Sequence, residues 1–185
     1  MMKSVEITLP EWLPGFLDGR TLFNDDTSKM ELAVALARRN IAEGGGPFGA
    51  AVFDRADGRL VSAGMNLVVP ANNSALHAEM VAIVFAEKLL KSYSLATKGR
   101  FELFTSCAPC AMCLGAVLWS GVERLVYAAK ADDARAIGFD EGPVFDESYN
   151  YLEERGIEVV HGFMRKEGRA VLQAYLAGGG NIYNP

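Results

Sequence analysis

The sequence predicts a layered α/β fold: a three-layer α/β/α sandwich around a mostly parallel five-stranded sheet that opens with a β-hairpin. Three observations carry this. Short β-rich apolar runs alternate with longer runs of helical period along the 185 residues. The first two strands flank Asp57-Gly58, a hairpin turn. Each later strand is separated from the next by a helix, a pattern that folds as right-handed parallel crossovers.

The elements follow in order. Residues 1–26 read as an irregular N-terminal extension, broken by Pro10, Pro14, Gly15 and Gly19. Thr27 or Ser28 caps a helix running to about residue 42, with Met30, Val34, Ala37 and Ile41 as its apolar stripe. Gly44-Gly45-Gly46-Pro47 stops it. Residues 48–53 and 60–69 are the hairpin strands, and 70–74 a loop before a helix over 76–90. A third strand spans 101–105, a helix 109–119 ends at Gly121, and a fourth strand spans 125–129. A short helix over 131–137, a loop over 138–143, a helix over 147–155, a fifth strand over 157–162 and a last helix over 166–176 complete the domain, taken as residues 27–177. Gly178-Gly179-Gly180 hinges a tail that completes the chain (178–185).

Composition narrows the function. Half the residues are hydrophobic and 22% are charged, ordinary for a soluble globular domain. The opening Met1-Met2-Lys3-Ser4-Val5-Glu6 lacks the apolar run of a signal peptide, and no stretch approaches the roughly 18 apolar residues of a membrane span. Three cysteines, two of them three residues apart, argue against a disulfide framework. A cytoplasmic location is therefore expected. With 23 acidic against 18 basic residues and a net charge of −5, nucleic acid is not an expected partner.

Two segments carry the chemistry: His77-Ala78-Glu79, and Pro109-Cys110-Ala111-Met112-Cys113. Cys110 and Cys113 are at i and i+3 and share a helix face, and Pro109 suits the first turn. The positive helix end favours thiolates. With His77 they make three protein ligands for one zinc per chain, leaving a fourth position open as catalytic sites do. Alone, the cysteines would read as buried members of an apolar helix; the histidine is what changes that reading. Glu79, two residues beyond His77, points away from it and reads as a proton carrier beside the metal water. Cys107 precedes the pair and reads as a buried thiol. His161, the other histidine, reads as a strand residue without a role in the site.

The stretch from about residue 46 to 142 resembles the cytidine/deoxycytidylate deaminase superfamily. Gly46-Pro47-Phe48-Gly49-Ala50-Ala51-Val52, His77-Ala78-Glu79 and Pro109-Cys110-x-x-Cys113 come in that family's order. Within it the chain resembles the bacterial guanine deaminases. The resemblance implies zinc-dependent hydrolysis of an exocyclic amino group on a free purine base, most simply guanine to xanthine and ammonia. It assigns Asn66, on the second strand, to holding the base, and Trp119 and Phe48 to the ring faces. Gly138-Phe139-Asp140-Glu141-Gly142-Pro143 would carry a second acid, with Asp140 and Glu141 both open for that role. Tyr183 lies in a tail that would close over the pocket. A homodimer through the cysteine helix is implied. Other readings stay open: another small aminated ring such as cytosine or an aminotriazine, tRNA adenosine, or a zinc-stabilised assembly protein without turnover.

Overall fold

The computed structural model describes residues 6–184. A short helix α1 (Trp12–Leu17) precedes α2 (Asp26–Ala42). The hairpin β1 (Gly49–Asp54) and β2 (Leu60–Met65) leads through α3 (Val68–Ala71) to α4 (Ala78–Leu90). Then follow β3 (Phe101–Cys107), α5 (Ala111–Ser120), β4 (Arg124–Ala129), α6 (Ala131–Arg135), α7 (Asp146–Glu154), β5 (Glu158–Val160) and α8 (Arg165–Ala177). A single 3-10 turn at Leu95–Thr97 precedes β3.

The five strands lie in the order β2-β1-β3-β4-β5. The hairpin opens the sheet antiparallel, and β1 also pairs antiparallel with β3, Ala51 opposite Phe104. The β3–β4 and β4–β5 pairs are parallel. The sheet is thus mixed, with its parallel part confined to β3-β4-β5. The pleat sends alternate residues to opposite faces. Ala51, Phe53, Phe104, Val126 and Ala128 pack with α2 and with Val171 of α8. Ala50, Val52, Leu103, Leu125 and Tyr127 pack with α4, α5 and α7. Helices cover both faces, so both faces of the inner strands are apolar.

Several boundaries differ from the sequence reading, each for a local reason. Residues 12–17 are helical despite Pro14 and Gly15. Pro14 sits in the first turn, where an N–H has no intrahelical partner to lose, and Leu13 drops into the core. The cap of α2 is Asp25, whose carboxylate accepts from Ser28 N at 2.7 Å, ahead of Thr27 or Ser28. The second strand ends at Met65; Val68 and Val69 turn into α3, so Asn66 stands just past the strand. It keeps one ladder contact, Asn66 N to Phe48 O at 3.0 Å. Helix α5 begins at Ala111, so Pro109 and Cys110 precede its first turn. No helix among the described residues is long and apolar enough to cross a membrane.

Candidate active site

The site forms at the carboxyl ends of β3 and β4, where open α/β sheets place their ligands. Two helix N-termini meet there. His77 is the N-cap of α4 and Cys110 that of α5, both with extended backbone (ψ 158 and 174). Neither side chain caps its own helix. Both turn instead to the shared cavity, leaving two positive helix ends facing it. Cys113 is the third residue of α5, so it meets Cys110 at the spacing by which an N-cap side chain reaches the N3 position.

The three donor atoms lie within 4.8 Å of one another. Cys110 Sγ is 3.4 Å and Cys113 Sγ 3.7 Å from His77 Nδ1. Zinc bonds of about 2.3 Å to sulfur and 2.0–2.1 Å to nitrogen at tetrahedral angles put such ligands roughly 3.5 Å apart, so the set fits the metal. It is the one such group of side chains among the described residues. The Cys110 thiol is pulled down to about 4 by a hydrogen bond from Cys113, with His77 adding to it. The charge of the pair thus rests on Cys110, and Cys113 is pushed up in consequence. Burial works against the His77 imidazolium, but Cys110 and Glu79 beside it raise its pKa overall. Cys107 stands apart from the metal set: it is buried and gives its thiol to Lys130 O. His161 is likewise remote, bonded to the Tyr127 hydroxyl.

Two carboxyls face the set. Glu79, in the first turn of α4, is 7% exposed, and Glu141 is 5% exposed. Burial, then the nearby Cys110 thiolate, pushes Glu79 up to about 7 and Glu141 to about 8. Both can therefore hold a proton near neutrality. Glu141 is placed by its own backbone: its carbonyl accepts from Ala111 N at 3.0 Å, tying the 138–143 loop to the start of α5. Asp140 is turned the other way. It is exposed, and its carboxylate accepts from Gly142 N at 2.8 Å, bracing the loop. The structure therefore puts Glu141 in the inner cavity, while Asp140 lines only the neighbouring groove.

Phe48, His77, Glu79, Ala108, Cys110, Glu141, Tyr183 and Asn184 line the cavity, of which about 20 Å³ stays open. Tyr183 closes one side of it. Its ring meets Phe139 edge-on at 5.0 Å, and Phe139 meets Phe48 at 5.1 Å. The approach is possible because residue 46 is glycine: a Cβ there would stand 2.5 Å from Tyr183 Oη and 2.8 Å from Asn66 Oδ1. Asn66 is fully buried, and its Nδ2 has no partner among the described residues. Trp119 is not in this cavity. It is 76% exposed at the far end of α5, because four residues of helix past Gly115 carry it out to the surface.

Two residues of the site escaped the sequence reading. Asn40 is buried on α2 and donates to both Gly46 O (2.9 Å) and Asn66 O (2.8 Å), fixing the Asn66 backbone. An amide inside the apolar stripe of that helix was the available signal. Asn184 lines the cavity from the tail and had no local signal beyond its neighbour Tyr183.

A model of the cytidine and deoxycytidylate deaminase zinc-binding region matches residues 23–129. Guanine deaminase of Bacillus subtilis (strain 168) is 40% identical over 129 residues, 69% of this chain and 80% of its own. The solved structure of guanine deaminase from Nitrosomonas europaea superposes with a TM-score of 0.91 at 44% identity, covering 96% of this chain and 98% of that one. The structure of NE0047 in complex with 2,6-diaminopurine gives 0.89 at 44% identity, over 100% and 98% of the two chains. The matched region contains His77, Cys110 and Cys113, the three residues the fold brings together as a zinc site, and the chain belongs to the cytidine and deoxycytidylate deaminase family.

Proposed function

We propose that this chain hydrolyses guanine to xanthine and ammonia. The observation that carries the reading is the pair of inward carboxyls, Glu79 and Glu141, flanking a three-ligand zinc site in a small closable cavity. The likeness to the B. subtilis and N. europaea guanine deaminases, and to a structure holding 2,6-diaminopurine, supports the choice of base. Zinc bound by His77, Cys110 and Cys113 supplies Lewis acidity that lowers the pKa of water at its open position.

This chain's residues do the rest. Glu79 takes a proton from the attacking water as its oxygen adds to C2, and returns it to N3 of the ring. The water's other proton passes from the new C2 hydroxyl by way of a carboxyl to the exocyclic nitrogen, the C2–N bond breaks as the C2 carbonyl forms, ammonia leaves and xanthine remains. Glu141, a proton reservoir on the outer side of the cavity, serves this departure. Phe48 provides an apolar ring face, and Asn66 Nδ2 a free donor for a ring acceptor. Closure by Tyr183 excludes bulk water.

The same reading takes the active form as a homodimer. Met112 and Trp119 are exposed at helical spacing on α5, and Phe145 is exposed as well. Such an apolar patch suits a second copy related by a two-fold axis. The acidic balance and the closed cavity speak against a polynucleotide substrate. Ammonia release from zinc-loaded protein should be measured on guanine, adenine, cytosine, guanosine and tRNA. Guanine should exceed adenine by at least about tenfold in kcat/KM, since an unmet hydrogen bond in a buried site costs roughly 1–3 kcal/mol. Turnover of tRNA without turnover of guanine would overturn the assignment. Sedimentation of the same sample should give a dimer at micromolar concentration; an active monomer would overturn that part.

A further inference from the structure

We propose that Asn184 is a specificity-determining residue, its Oδ1 accepting the N1–H of the purine ring; this rests on the guanine reading above. The tail is strapped to the domain at two points. The Tyr175 hydroxyl donates to Asn181 O at 2.7 Å. At the outer point, Asp140 N donates to Asn184 O at 2.9 Å and Asn184 Nδ2 donates to Asp140 O at 2.9 Å. The second of these bonds fixes the side-chain amide. Turned over, it would set Oδ1 against the Asp140 carbonyl, acceptor against acceptor. Oδ1 is therefore the free end. It is buried and has no partner among the described residues. Buried acceptors are nearly always paired, and one held bare at a cavity wall is suited to a donor on a ligand.

The position says which donor. Asn184 lines both the inner cavity and a more open groove beside it, as do Glu141 and Cys110. Glu79 lines the inner cavity alone. Asn184 thus stands on the side of the cavity shared with that groove, and the proposal puts it on the flank of the reacting carbon away from Glu79. In guanine the two ring neighbours of C2 are N3, an acceptor, and N1–H, a donor. With N3 turned to Glu79, N1–H turns to the outer flank. A ring whose N1 is bare, as in 2-aminopurine, would set its lone pair against Oδ1 and leave that acceptor unpaired. The same 2-amino group is present in both rings, so the reaction at C2 is unchanged and N1–H is the difference that the pair reads together with the 6-oxo group.

The test is kcat/KM for guanine and 2-aminopurine with the zinc-loaded full chain and its Asn184→Ala and Asn184→Asp variants. Asn184→Ala should lose at least about tenfold on guanine and less than about threefold on 2-aminopurine, as expected where a site built to hydrogen-bond a donor loses its acceptor. Asn184→Asp keeps an acceptor while giving up the bond to Asp140, and should restore most of the guanine preference. An equal loss on both bases in Asn184→Ala would overturn the proposal and leave Asn184 as a strap that only holds the tail. No change on either base would overturn it too. Failure of the unaltered protein to deaminate guanine at all would instead sink the reading on which the proposal rests, and the proposal with it.

Discussion

Glu79 is a carboxyl that the fold keeps almost out of water beside the zinc ligands. A buried carboxyl is costly to ionise, and burial beside the Cys110 thiolate lifts its pKa to about 7. A proton carrier working at neutral pH needs such a value, which supports the role proposed for Glu79. Glu79→Gln should keep its zinc and its fold and lower kcat by at least about 10²-fold, the lower end of general acid–base contributions. Metal analysis beside steady-state rates reads this; near-normal turnover with intact zinc would move the role elsewhere. His77, Cys110, Cys113 and Glu79 were legible in the sequence because metal chemistry constrains both residue type and spacing. Which acid of Asp140 and Glu141 points inward was not, since an irregular loop has no period to assign faces. Trp119 was assigned to a ring face by the family resemblance, and helical spacing alone does not say what its side chain meets; here it is exposed at the end of α5. Asn184 reaches the site only through the docking of the tail, and no pattern in the chain encodes that.

At the scale of elements, one buried carboxylate holds two helices together. Asp133 of α6 accepts from Arg165 of α8 through both nitrogens, at 2.8 and 2.9 Å, and from Lys130 N at 2.9 Å. The hydrogen bond from Arg165 lowers its pKa in the folded state. A carboxyl lowered on folding stabilises the fold above the unfolded pKa, and the contribution fades as pH falls through the lowered folded value. Asp133→Asn should therefore cost about 1.5–3 kcal/mol near neutrality, the range for hydrogen bonds to charged groups. The difference in thermal midpoint between variant and unaltered protein should shrink as the pH is taken below the carboxylate range. A difference that stayed constant with pH would mean that shape, not charge, is what the site needs. The long elements were readable because each has several turns of one period: α2, α4 and α8 lie within about two residues of expectation. The short ones were not. Helices α1 and α3 have six and four residues and each contains a proline, so their periodicity is too brief to outweigh a breaker. Tertiary contact decides them, through Leu13 in the core for α1 and through the turn after Asn66 for α3.

Across the whole molecule, the order of strands could be anticipated only in part. The hairpin and the crossovers follow from turn chemistry and helix spacing, whereas the antiparallel seating of β1 beside β3 joins residues about 50 apart and leaves no local trace. The same holds for the tail. Its glycines announce a hinge, but the place where it lands depends on Phe139, Asp140 and Gly46, all distant in sequence. Where it lands matters for turnover. The cavity around the zinc ligands keeps about 20 Å³ with the tail in place, room for about one water, while pockets that take small molecules run to roughly 300 Å³ or more. A purine needs more room than this, which we infer comes from withdrawal of the tail that carries Tyr183. The tail is held by one hydrogen bond at Asn181, a pair at Asn184, and the packing of Ile182 and Tyr183 against the cluster around Phe139 and Tyr175. We infer that this strap opens to admit a base and closes again over it. A chain ending at residue 180 should keep its zinc, because no ligand lies in the tail. It should lose at least about tenfold in kcat/KM on guanine, because closure both excludes water and completes the positioning of the ring. Steady-state rates and metal content on the truncated protein decide the matter. Full activity in that protein would show the strap to be a cover without a part in turnover, and loss of zinc along with activity would make the tail a support of the metal site instead.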